Sequence, residues 1–222
     1  MYITRYTTVT DRATRDELFE LYEAAYGDIA ETDISREVLF RHEFDEVMSD
    51  PTYRTTVVRD DDDSAVAMAT IATDIGATRY LSRPFFTARY PRRTAEQRVH
   101  YVMWAVVHPD HQGKRTTWEL TRAGLAAEAE DGALLVFDSP ESNQPNERGG
   151  SAEFLRRMAA TIADSSLVSF GATRYYAIDF EPGSAETAVD EIPVPADAAA
   201  TDETDVAADA PATDDAVSAS RA

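Results

Sequence analysis

Between Gly113 and Thr117 the chain reads Gly-Lys-Arg-Thr-Thr, which puts a glycine, two adjacent basic side chains and two hydroxyls into one short turn. The turn begins at His108-Pro-Asp-His-Gln112, follows the apolar run His100-Tyr-Val-Met-Trp-Ala-Val-Val107, and leads into a helical pattern from Trp118 to Glu130. Strand, turn and helix in that order make a cradle for an anion. A helix N-terminus leaves N–H groups unpaired and carries about half a positive charge, so phosphate oxygens settle there. Lys114, the only lysine in the chain, and Arg115 would add two full charges. The hydroxyls of Thr116 and Thr117 would add donors. Proton chemistry has two candidates. Asp138 follows the apolar run Ala133-Leu-Leu-Val-Phe137, and ligands of open α/β sheets gather beyond the carboxyl ends of strands. It could meet a cationic acceptor or act as a base, although Asp-Ser-Pro is also ordinary turn chemistry. Tyr101 lies on the earlier strand. With an unperturbed pKa near ~10, tyrosine is a poor base at neutral pH and a better proton donor, and it could equally fill the core. The plain alternative for the cradle is a Pro-Asp turn followed by two threonines that cap a structural helix, with Thr116-x-x-Glu119 as a capping box.

Other chemistries fit less well. The chain has no cysteine, so disulfides, thiolate zinc sites and cysteine nucleophiles are excluded. His100 and His108 stand roughly 25 Å apart if the strand is extended at ~3.3 Å per residue, and His108 and His111 sit in the turn, so no metal site is expected. Four acids in a row, Asp60 to Asp63, read as a solvated hairpin turn, because alternate side chains of an extended backbone point to opposite faces. A nucleotide P-loop would need a glycine where His108 stands.

The elements that must position these residues follow from periodicity. Tyr2 to Val9 alternates as a strand, and Asp16 to Tyr26 carries Leu18, Leu21, Tyr22 and Ala25 at helical spacing. Ser35-x-x-Val38 opens a second helix, with Val38, Leu39, His42, Phe44 and Val47, that Asp50-Pro51 stops. Tyr53–Arg59 and Ala65–Ile75 form a hairpin. The cradle's strand and helix come next, followed by a short buried parallel strand at 133–137. A helix over Ser151–Ala163, with Phe154, Leu155, Met158 and Ile162 on one face, leads to a closing strand pair at Leu167–Phe180. On the cradle's strand Tyr101, Met103, Ala105 and Val107 should share one face, and His100, Val102, Trp104 and Val106 the other.

Length and composition allow one α/β domain over residues 1–182. Residues 183–222 hold ten acids, one arginine and no aromatic side chain, a composition expected to remain a disordered acidic tail. The formal charge is −20, of which the tail supplies −9. Such a field repels nucleic acid and anionic membranes. No window approaches the ~18 apolar residues of a membrane span, and Met1-Tyr-Ile-Thr-Arg-Tyr6 lacks a signal peptide's apolar core. The expectation is a cytoplasmic protein.

Val107-His-Pro-Asp-His-Gln-Gly-Lys-Arg-Thr-Thr117 resembles the acyl-CoA loop of the GNAT superfamily of N-acyltransferases, V-x-P-x-x-[QR]-G-x-G-x-[GA], in its valine, its proline, Gln112 and Gly113. The pattern's two later glycines are Arg115 and Thr117 here, which would shift anion contacts from backbone toward side chains. The element order over 1–182 is also similar to that family's. The resemblance implies a GNAT-like fold, a mixed central sheet flanked by helices. It also implies acetyl-CoA or another acyl-CoA as co-substrate, no metal, and a small-molecule or peptide amine as acceptor. Direct acyl transfer would use main-chain contacts at Ala105, Val106 and Val107, with Gln112, Gly113, Lys114, Arg115, Thr116 and Thr117 around the phosphates. Several family members carry a catalytic carboxylate where Tyr101 stands, and the family's usual acid for the leaving group, a tyrosine on the next helix, is absent from Ala152–Met158; Tyr175 and Tyr176 do not match it. A homodimer is compatible with all of this. The altered loop equally fits a GNAT-like domain without catalysis, serving as a CoA sensor or a protein-interaction module. Six arginines between Arg79 and Arg98, set among Tyr80, Phe85, Phe86 and Tyr90, could grip nucleic acid, but the acidic remainder argues against it. A lid over the acceptor site, a contact to CoA phosphate, or a surface loop whose arginines pair with acids are the other readings.

Overall fold

In the computed structural model the described residues are 1–27, 38–113, 115–139 and 150–172. Lys114, Ser35, Tyr175, Tyr176, the far part of the closing strand pair and the whole stretch 183–222 therefore lie outside them, as does the proposed boundary at 182; Val38 and Leu39, expected inside the second helix, are described and precede it, since that helix starts at Arg41 after Phe40.

The elements run in the order β1 (Tyr2–Tyr6), α1 (Arg12–Tyr26), α2 (Arg41–Ser49), β2 (Tyr53–Arg59), β3 (Ala65–Ala72), α3 (Arg83–Arg89), α4 (Pro91–Ala95), β4 (Val99–Val107), α5 (Thr116–Asp131), β5 (Leu134–Val136) and α6 (Ser151–Ala160). Five strands form one sheet in sequence order. Pairing is antiparallel from β1 through β4, and β4 pairs β5 in parallel. That last crossover is what α5 supplies, since parallel neighbours need a connection long enough to return along the sheet.

Each helix begins and ends where local chemistry allows. Asp11 caps α1 by accepting from the Thr14 N–H at 2.8 Å. Gly132, at φ 63°, ends α5 in the left-handed conformation that glycine adopts without strain. The β2–β3 turn is the acid run: Asp63 takes φ 72°, and Ser64 bonds Asp62 through both its N–H and its hydroxyl.

The sheet separates two apolar layers. On one face Leu18, Leu21, Tyr22, Phe44 and Met48 of α1 and α2 pack on Val57, Met68, Trp104 and Val106. Further along that face, Tyr53, Ala72, Val99, Tyr101 and Val136 are covered by Phe86 of α3 and by Ile75. Across the sheet, Leu120 of α5 packs on Val58, Val66, Ala67 and Ala69. Burial of each large apolar side chain contributes roughly 1.5–3 kcal/mol. Arg59, itself buried, ties α1 to the hairpin by two bonds to Glu17 at 3.1 and 3.0 Å, and Glu17 also accepts the Ala65 N–H at 2.7 Å.

Four expectations are corrected. First, β4 does not keep one alternation: Thr70 pairs Trp104 while Ile71 pairs Val102, so Met103 is an extra residue and the strand bulges there. Past the bulge the faces exchange, so Trp104 lies with Tyr101 on the α1 side while His100 faces α5. Second, Thr116 does not cap α5. Arg115 is the N-cap residue, and Thr116, one position further in, is fully buried. Third, Phe154 is exposed, and Met158 is the α6 residue that is buried. Fourth, residues 167–172 form no strand. The long connection between β3 and β4 holds two short helices, each opened by a proline in its first turn.

Candidate active site between β4 and β5

The site is made by a mismatch in strand length. β5 pairs β4 only at Val99↔Leu134, His100↔Leu135 and Tyr101↔Val136, yet β4 runs on to Val107. Among the described residues, Val102–Val107 therefore has β3 on one side and no strand on the other. A strand edge left this way presents alternate N–H and C=O groups that need partners. Six residues at ~3.3 Å each make roughly 20 Å of such edge.

Each end of the edge carries a distinct chemistry. Where β4 and β5 part, the Tyr101 hydroxyl donates to Asp138 Oδ1 at 2.7 Å. The Tyr101 ring is buried and Asp138 is exposed, so the pair joins the core to the cleft. Asp138 stands beyond the carboxyl end of β5, and its neighbour Ser139 is tied to the start of α6 by a 2.6 Å bond to Ser151. At the other end, His108 N–H bonds Val66 O at 2.9 Å and closes the β3–β4 ladder. A turn of 3-10 helix over Pro109–His111 follows. Gly113 then takes φ +71°, with open space where a Cβ would stand, and α5 begins.

Those features suit an anionic ligand that also has an extended amide-bearing arm. Gly113 leaves its turn open to close approach. The first N–H groups of α5 have no intrahelical acceptor. Thr116 Oγ1 is buried without a hydrogen bond to any described residue, an orphan polar atom at the helix entrance.

The sequence has no match among family models and none among curated proteins. Solved structures similar to it include an aminoglycoside acetyltransferase from an uncultured soil metagenomic sample, in complex with sisomicin, at 14% identity over 78% of this chain and 96% of that one, TM-score 0.45. A ribosomal-protein-alanine N-acetyltransferase from Brucella melitensis biovar Abortus 2308 is similar at 18% identity over 79% of this chain and all of that one, TM-score 0.43. Tetrahymena GCN5 is similar at 9% identity over 65% and 74%, TM-score 0.44. The mixed five-stranded sheet flanked by helices has the element order that the resemblance of the 107–117 loop implies.

The nominated residues are distributed along this cleft. Tyr101 and Asp138, 37 positions apart, are bonded to each other. Ala105 is exposed, Val106 is buried toward α1, and Val107 packs toward α5. Gln112 and Thr117 are exposed. Arg115 is exposed, pairs Glu119 at 2.8 Å and lies 5.6 Å from the Trp118 ring. An anion would have to compete with Glu119 for its guanidinium. Thr116 presents no hydroxyl to the surface, because it is fully buried. A groove lined by Met1, Tyr2, Ile3, Val58, Arg115 and Glu119 opens on the β1 side of α5 and shares Arg115 with the cradle.

One cluster had no counterpart in the sequence reading. His100 Nδ1 is 2.5 Å from Glu128 Oε2, and His100 Nε2 is 3.2 Å from Gln97 O. Arg54 bonds Glu128 and reaches Asp131 at 2.8 Å. Burial opposes the Arg54 charge, but Asp131 and Glu128 outweigh it and raise its pKa. His100, Glu128 and Asp131 bring ligating atoms within 4.8 Å of one another, and the Arg54 guanidinium already fills the cation's role there. The one available signal was Glu128 itself, a charge on the buried stripe Thr116, Leu120, Gly124, Ala127 of α5.

Proposed function

We propose that this protein is an N-acyltransferase that moves an acyl group, most simply acetyl, from acyl-CoA to an amine by direct transfer. The observation that supports it is the single unpaired β4 edge with a proton-handling pair at one end and an anion cradle at the other. In this reading the alternate N–H groups of Val102–Val107 hold the amide-bearing arm. Gly113, Lys114, Arg115, Thr117 and the start of α5 hold the phosphates, Gln112 flanks them, and Thr116 supports the turn from below.

The chemistry needs a neutral amine and a destination for its proton. Asp138 accepts the proton, directly or through the Tyr101 hydroxyl that donates to it. The C–N bond then forms as the C–S bond breaks, and the departing thiolate is protonated from water or from Tyr101. Holding the two reactants in one cleft supplies much of the rate. In this reading the protein acts in the cytoplasm, with residues 1–182 as the working domain and 183–222 as a dispensable acidic tail.

The test is release of CoA thiol from acetyl-CoA in the presence of a broad amine panel. Asp138→Asn should lower kcat by about 10²–10⁴, the range for loss of a general base, with acetyl-CoA affinity retained. Acetyl-CoA binding with no turnover on any amine would favour the sensing or interaction module.

A further inference from the structure

We infer that the acceptor is zwitterionic, an amine carrying a carboxylate such as a free amino acid, and that the basic wall formed by residues 75–98 selects it; this rests on the acyltransferase reading above. Residues 75–98 contain six arginines and one acid, a local charge of +5 in a chain of −20. A single-sign wall beside a cleft concentrates ligands of the opposite sign.

The wall stands at the Tyr101 end of the cleft. Ile75 and Phe86 share one apolar cluster with Tyr101 and Val136. The Tyr80 ring lies 6.0 Å from the Tyr101 ring and is 57% exposed. Arg79 adjoins Tyr80 in the chain, and Arg83 Nη1 is 3.2 Å from where a Cβ on Gly76 would stand.

Among the described residues, surface pairing accounts for only some of these arginines. The chain has 41 acidic and 21 basic residues, so an arginine with no other duty should find a carboxylate. The one acid of the segment, Glu96, is shared by Arg92 at 2.8 Å and Arg98 at 3.4 Å. Arg89 lies 4.7 Å from the Phe85 ring. Arg93 adds to the positive field that lowers the Glu96 pKa, behind Arg92 and Arg98, whereas the side chains of Arg79 and Arg83 make no ion pair or hydrogen bond with any described residue. Asp74, which like Arg83 approaches Gly76, accepts from the Gly76 N–H at 2.7 Å and from Gln97 at 3.4 Å.

At this end of the cleft the exposed Asp138 carboxylate suits an ammonium group, and the guanidiniums of Arg79 and Arg83, which have no ion pair with any described residue, suit a carboxylate. A polycationic acceptor would satisfy the first and be repelled by the second. The cradle at Gly113 and Arg115, with its own anion, is at the opposite end of the β4 edge.

The experiment compares free amino acids with their carboxamides as acceptors of acetyl-CoA, in the wild type and in Arg79→Glu/Arg83→Glu, with Arg79→Gln as a milder variant if the double reversal fails to fold. The free acids should exceed their amides by about tenfold in kcat/KM, mostly through KM, as expected for one or two exposed guanidinium contacts. Added salt should shrink that ratio. In the double variant it should fall to one or below, with acetyl-CoA affinity unchanged. Amides equal to or better than acids in the wild type would overturn the inference. So would a variant that lost CoA affinity and kept the ratio, since the wall would then serve the cofactor. If acetyl-CoA binds and no amine reacts, the acyltransferase reading fails by itself. Calorimetric titration of the same acids and amides then decides the carboxylate question: equal binding refutes it, and preference for the acids, lost in the variant, supports it.

Discussion

Glu128→Ala should be among the most costly single substitutions in this protein. Glu128 is 3% exposed, and its two carboxylate oxygens serve different partners: Oε1 takes Arg54 of β2 and Oε2 takes His100 of β4. One side chain of α5 thereby joins the helix to two strands. Truncation leaves His100, whose side chain is 5% exposed, with Gln97 O as its remaining acceptor, and leaves Arg54 with Asp131 alone. Breaking a buried charged pair by removing one partner costs about 3–5 kcal/mol, because the other group stays buried without compensation. Asp131→Ala is the internal control. Asp131 is 42% exposed and Arg54 would keep Glu128, so the loss should stay within about 1 kcal/mol. Urea unfolding followed by circular dichroism measures both. With a slope of roughly 2 kcal/mol per molar urea, Glu128→Ala should lower the midpoint by about 1.5–2.5 M and Asp131→Ala by less than about 0.5 M. Equal shifts, or a Glu128→Ala shift below about 0.5 M, would refute the reasoning.

Two further outcomes follow from local geometry. Glu153 accepts from Arg156 and Arg157, which hold its carboxyl at about 2, down from an ordinary value near 4.5. Its contribution to stability is therefore complete above the unfolded value and is lost as pH falls through the folded one. A carboxyl titration by NMR should place its midpoint near 2, and Glu153→Gln should flatten the fall in melting temperature between about pH 4.5 and 2; a midpoint near 4.5 would show the ion pairs to be ineffective. Gly132→Ala forces an alanine to φ 63°, with its Cβ no closer than 3.8 Å to another atom, so only backbone strain acts. That should cost about 1–2 kcal/mol by urea unfolding, and an unchanged midpoint would contradict the left-handed end of α5.

The fold was largely legible because most elements keep one period, β4 excepted. The α1 stripe of Leu18, Leu21 and Tyr22 reads as helix in the sequence and is buried as expected. The acid run between two β-branched segments reads as a turn and forms one. The bulge was not legible: no glycine or proline marks Met103, and the apolar run His100–Val107 continues through it, so only pairing with β3 reveals the exchanged faces. The start of α5 was misread by one residue, because Thr116-x-x-Glu119 has the letters of a capping box while tertiary burial of Thr116 moves the cap to Arg115. Tyr101 and Asp138 were each nominated separately, and their contact follows from the parallel β4–β5 register, which no local pattern encodes. The Arg54, His100, Glu128 and Asp131 cluster draws on β2, β4 and α5, so its parts are remote in sequence until the sheet forms.

The central claim is that the β4 edge and the Gly113 turn bind acyl-CoA, and calorimetric titration of acetyl-CoA into the wild type and Gly113→Val tests it most directly. Gly113 holds φ +71° in open space, so a valine there is strained and also intrudes on the cradle without touching the core. Micromolar binding by the wild type is expected, with a loss of at least about tenfold in the variant, equivalent to 1.4 kcal/mol or more, and a fall in melting temperature no larger than the several degrees that about 1–2 kcal/mol of backbone strain produces. No acetyl-CoA binding by the wild type, or equal binding by both proteins, would contradict it.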